Sequence, residues 1–202
     1  MIQFLSEKTA QYLAKDDDDP ADIEVIAYGY YLFYQQWLSI SAMLLVAFLL
    51  GLFFPVLASI IVSTTLRGCV CGTHATHPLI CKIAAFALAF TPAVLAVMFT
   101  VRLVSVAALL MYLCSIALLV KYAPGDTDIK KIRDPRIRKK MKIESIVWVS
   151  VFFLVAVFLQ GRFPVIAFVV AVTAFVTCCF VHPVAYWLFG FDPVTKETRT
   201  SK

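Results

Sequence analysis

The chain alternates long apolar runs with short polar blocks, and the lengths of those runs fix the architecture it can adopt. From Ile2 to Ala14, Phe4, Leu5, Ala10, Tyr12 and Leu13 sit among Glu7, Lys8, Gln11 and Lys15, a weakly amphipathic spacing that predicts an interfacial helix over residues 1–15. Asp16 to Asp19 with Pro20 read as a turn and cap, and Asp22 and Glu24 suit the positive end of the helix that follows. The run Ile23 to Leu66 exceeds a single span and must hold a pair. Its expected parts are a short aromatic element from Ile23 to about Trp37, interrupted by Gln35 and Gln36, and a full span from Leu38 to Leu66, kinked at Pro55. The first part is short enough either to cross the membrane or to dip in and return.

A polar interruption, Arg67 to Lys82, separates this pair from the next, Ile80 to Thr100 and Leu103 to Val120, with Arg102 between them. A basic loop over 121–142 precedes the last pair, Ile143 to Leu159 and Phe163 to about Phe189, split by Gly161, Arg162 and Pro164; a polar tail covers 190–202. Crossing hydrocarbon roughly 30 Å thick takes about 20 helical residues, and the runs lack the strict alternation of barrel strands. The expected fold is an all-α polytopic integral membrane protein forming one membrane domain. It has about six hydrophobic helical segments, four long spans and two shorter or paired ones, behind the amphipathic N-terminal helix.

Composition agrees and adds an orientation. With 61% hydrophobic and 15% charged residues, and a mean hydropathy of +0.87, an ordinary water-soluble core is excluded. The first residues lack a basic stretch and a small-residue cleavage site after an apolar one, so no signal peptide is expected. Lys121, Lys130, Lys131, Arg133, Arg136, Arg138, Lys139, Lys140 and Lys142 outnumber Asp126, Asp128 and Asp134 in one loop, which places it in the cytoplasm by the positive-inside rule. Counting spans from there puts the 67–82 loop and the C-terminal tail on the same side.

The 67–82 loop carries the chemistry. It holds two of the three histidines and three of the six cysteines, and ionisable groups kept so close to lipid call for a use. A cysteine attacks as its thiolate, whereas a thiol of ordinary pKa near 8.5 is mostly protonated in the cytoplasm. Pro78 suits a first helical turn, which puts Cys81 close to that helix's positive end; Lys82 adds charge, and His74 can accept the proton if the loop folds back. Gly72 allows a tight turn there and can bring a backbone N–H near a developing oxyanion. His74 and Cys81 are therefore the candidate base and nucleophile. Cys69, Cys71, His74, His77 and Cys81 also have the chemistry to hold zinc, though their spacing matches no strong zinc pattern. Cys114, Cys178 and Cys179 read as packing residues without a structural disulfide, and His182 as a local hydrogen-bond partner.

The run Arg67, Gly72, His74, Ala75, Cys81, followed by two spans and then Lys121-Tyr122-Ala123-Pro124 with Asp126-Thr127, resembles the accessory gene regulator protein B family of Gram-positive bacteria. The resemblance covers most of the chain. It implies a membrane cysteine endopeptidase that trims the C-terminal tail of a quorum-sensing propeptide and closes the product into a thiolactone. Carried over, the catalytic His and Cys are His74 and Cys81, with Arg67 and Gly72 in support. The family's Asn-Lys-Pro run after Asp-Thr is replaced here by Ile129, Lys130 and Lys131.

The resemblance further implies a propeptide partner with an amphipathic leader and an acidic tail, and a homodimer; a cell-membrane location with the active site facing the cytoplasm is expected from the charge count, and no cofactor, metal or nucleic acid is expected. Lys130, Lys131, Arg133, Arg136, Arg138, Lys139 and Lys140 are the candidate tail-binding residues, with a solvated loop or an anionic lipid surface as the alternatives. A membrane transporter, or a metal-binding membrane protein built on the 69–81 cluster, is the competing class. Between Val25 and Val120 the only charges are Arg67, Lys82 and Arg102, at or near span ends, which weakens the transport reading.

Overall fold

The computed structural model describes residues 2–13, 20–70, 78–98, 105–125 and 134–188. Among them are eight helices: α1 (Ile2–Leu13), α2 (Pro20–Leu49), α3 (Phe53–Val70), α4 (Pro78–Met98), α5 (Ser105–Tyr122), α6 (Pro135–Leu159), α7 (Pro164–Cys179) and α8 (Pro183–Leu188). α2 through α6 each contain a stretch long and apolar enough to cross a membrane, and α7 is a shorter apolar helix. The protein is an all-α, multi-pass membrane protein.

Proline sets most of the helix starts. α2, α4, α6, α7 and α8 each open on one, where the missing N–H would have had no helical partner and the fixed φ already fits. Asp134 caps α6, its carboxylate accepting from the backbone N–H of Arg136 at 2.8 Å. Several boundaries differ from the sequence reading. Gln35 and Gln36 do not interrupt α2, because their amides are compatible with a helix interior. The break falls instead at Gly51, whose φ of +70° ends the helix in the left-handed conformation. Pro55 therefore lies in the first turn of α3, where proline is tolerated, and kinks no span. The proline within a helix is Pro92 of α4. Arg136 to Lys142, expected in a loop, form the first turns of α6. The last apolar run is divided at Phe180–His182, before Pro183.

The chain separates into two compact units, Met1–Gly51 and Leu52–Lys202. In the first, α1 packs along α2, tied by a hydrogen bond between the Thr9 and Tyr34 hydroxyls at 2.9 Å. Gln3, Ser6, Glu7 and Gln11 line the groove between the two helices, whereas Phe4, Leu5 and Leu13 are exposed. The exposed Phe4, Leu5 and Leu13 give α1 apolar positions suited to contact with lipid.

In the second unit α7 is central, packing against α3, α4, α5 and α6. Its Ala167, Ala171 and Ala174 are fully buried; these small residues let backbones approach closely, which drives helix association where lipid is as apolar as the helices. Outward-facing residues such as Leu154 and Phe158 are exposed, as acyl-chain contact requires. A buried polar link joins α3, α4 and α7: Ser59 Oγ donates to Leu88 O at 3.1 Å and lies 2.9 Å from the Thr173 hydroxyl. Pro92 has no N–H to offer the Leu88 carbonyl, so Ser59 supplies the donor from the neighbouring helix.

Candidate active site

α3 and α4 pack together, and the Ser59–Leu88 bond joins points about equally distant along the chain from Val70 and Pro78. The end of α3 and the start of α4 therefore lie at one end of the bundle. The same end collects the last turn of α5, the first turns of α6 and the turn after α7, through four contacts. Gly125 donates its N–H to Val70 O at 3.1 Å. Arg138 Nη2 donates to Pro124 O at 3.2 Å, and Lys142 Nζ donates to Val120 O. The Tyr122 and His182 rings meet edge-on at 5.2 Å.

Cys81 stands on α4 just past the opening turn begun by Pro78, half-buried. This is the position expected from the sequence, near the positive end of a helix whose first N–H groups lack intrahelical acceptors. Arg67 lies in the last turn of α3, where a cation complements the negative helix end. Its guanidinium sits over the Phe180 ring, 5.2 Å from the centroid. Arg136, Lys139 and Lys140 are exposed along α6, with Lys140 3.8 Å from Glu144. Gly72, His74, Lys130, Lys131 and Arg133 lie outside the described residues, as do Cys71 and His77 of the alternative zinc cluster. His182 has the local role expected of it, Nδ1 accepting the N–H of Val184 at 3.3 Å.

Two features escaped the sequence reading. Phe180 reads there as one more apolar residue. The Ala123–Pro124–Gly125 turn is buried, Pro124 completely, although it follows a basic residue and opens a polar block. The signal was present in Lys121-Tyr122-Ala123-Pro124, but nothing in that run says what the turn touches.

Fold and site together define a polytopic helical membrane protein with a half-buried thiol at one end of its bundle, beside the helix end that carries a buttressed arginine. A family model described as Accessory gene regulator B matches residues 6–186, nearly the whole chain. The chain belongs to the accessory gene regulator B family, and is thus a membrane protein of the accessory gene regulator system. No curated protein and no solved structure matches it.

Proposed function

We propose that this protein is a membrane cysteine endopeptidase that removes the C-terminal tail of an autoinducing-peptide precursor and promotes thiolactone formation. The observation that carries the reading is Cys81: a half-buried thiol at the start of α4, in a chain of a family known for peptide processing. Cys81 attacks the carbonyl carbon at the cleavage point, and His74 takes the thiol proton and returns it to the leaving amine. A thioester to Cys81 remains and the tail departs. Attack by a cysteine of the bound peptide exchanges one thioester for another at little free-energy change, which closes the ring and frees Cys81. Hydrolysis competes and is downhill, so the site must exclude water and hold the internal thiol close to the acyl carbon.

Gly72 serves the loop turn and the oxyanion, and Arg67, seated on Phe180, anchors the end of α3. Arg136, Lys139 and Lys140, with Lys130, Lys131 and Arg133 before them, attract an acidic tail from the cytoplasmic side. Helix α1, with Phe4, Leu5 and Leu13 exposed, lies at headgroup level, where an amphipathic leader would also bind. The deciding experiment reconstitutes the protein with a candidate propeptide and compares wild type with Cys81→Ala and His74→Ala. Loss of tail release in both variants, with a covalent adduct trapped on wild type alone, is the expected result; processing that survives either substitution removes the reading.

A further inference from the structure

We propose that Arg138 and Lys142 are positioning residues for this site, acting on the end of α3 through the buried Ala123–Pro124–Gly125 turn. The inference rests on the peptidase reading above and adds parts that reading does not contain.

The last carbonyls of any helix lack intrahelical donors, and near lipid each must find one. At the end of α5, Lys142 supplies Val120 O, and Arg138 supplies Pro124 O just beyond it. Both cations come from α6, whose start is fixed by the Asp134 cap and Pro135. The turn they hold is sealed from its surroundings: Ala123 and Gly125 are buried and Pro124 is fully so. From it Gly125 N–H reaches Val70 O, a carbonyl that α3 itself cannot satisfy. Val70 is fully buried and is the last residue of α3. The next residues in sequence lead directly to His74. A chain of bonds thus runs from two α6 cations, through a buried turn, to the last residue of α3, which precedes the proposed base in sequence. A basic stretch that only attracted substrate would not need donors directed at backbone carbonyls.

The test uses the full-length protein reconstituted with the candidate propeptide, measuring kcat and KM, and following the pH dependence of Cys81 alkylation by peptide mapping. Arg138→Gln with Lys142→Gln is expected to lower kcat by about 10- to 100-fold, the scale of a small misplacement of a catalytic group, with less change in KM. Its alkylation profile should move toward that of His74→Ala. Arg138→Lys, still able to donate to Pro124 O, should recover most of kcat. Arg136→Gln removes the same charge from the same helix and should act mainly on KM.

Wild-type kcat in the double variant overturns the proposal. So does a loss in kcat with the alkylation profile unmoved, or an equal loss in Arg136→Gln and Arg138→Gln confined to KM. If the double variant does not purify as a single species, Arg138→Gln and its Lys rescue are judged by the same criteria. Full processing by Cys81→Ala or His74→Ala would overturn the peptidase reading and this inference together; inactivity of both leaves the positioning role to be decided by the α6 variants alone.

Discussion

At the end of α3 a single guanidinium has a definite seat. Arg67 lies over Phe180 at 5.2 Å, and a cation on an aromatic face is worth about 0.5 to 2 kcal/mol, more as water is excluded. A double-mutant cycle of Arg67→Gln and Phe180→Leu, followed by unfolding in detergent, should return a coupling in that range. Arg67→Lys should keep the charge but lose part of the coupling, because an ammonium lacks the planar stacking face; strictly additive losses would argue against the contact. At this scale the residue types that matter were legible in sequence, since an arginine and a cysteine beside lipid stand out. Their neighbours were not. Phe180 is distant from Arg67 along the chain, and only packing selects it from the many phenylalanines.

Among the helices, two local rules settle boundaries and one cross-helix bond repairs a defect. Gly51 takes a φ of +70°, and a Cβ built there meets nothing within 4 Å. Gly51→Ala should therefore cost about 1 to 2 kcal/mol from backbone conformation alone, with Gly51→Asn costing less; equal stability of all three forms would show that the left-handed turn is not required. Pro92 leaves the Leu88 carbonyl without its helical donor, and Ser59 serves it. Ser59→Ala should destabilise the bundle by about 1 to 3 kcal/mol, the cost of a buried acceptor left unsatisfied. In a Pro92→Ala background, where the intrahelical bond can form, the same substitution should cost clearly less. The sequence displays Gly51 and Pro92 openly, yet it suggests a break at Gln35 and Gln36 and a kink at Pro55, because polarity and proline by themselves do not reveal a position within a helix. A proline in a first turn is harmless and one in mid-helix is not, and helix boundaries decide which it is.

For the molecule as a whole, basic residues of α6 gather at one end of the bundle, where Cys81 also lies, and by the positive-inside rule that end is expected to face the cytoplasm. A membrane-impermeant maleimide applied to intact cells should leave Cys81 unlabelled and should react with it once the cytoplasmic face is opened. Once that face is open, Cys178, fully buried in α7, should still react far more slowly than Cys81. Labelling of Cys81 from outside would reverse the proposed topology. The number and length of apolar runs were enough to give a multi-pass helical protein, since hydrocarbon thickness fixes how many residues a crossing needs. That α7, an apolar helix shorter than the five candidate spans, would be the central one was not legible. At 16 residues it rises only about 24 Å, less than the hydrocarbon layer, and it packs against four longer helices, α3, α4, α5 and α6.

By itself the sequence determined what solvent the chain lives in, that it passes through the membrane several times, and which rare groups stand near the ends of its apolar runs. Each of these follows from local composition and span length, which need no knowledge of neighbours. Tertiary structure alone decided that basic residues of α6 reach carbonyls at and just beyond the end of α5, that a buried turn bonds the end of α3, and that Ser59 answers for Pro92. Those pairings join positions far apart in the chain, and they form because unsatisfied backbone groups in a low-dielectric interior take whichever donor the packing brings within reach.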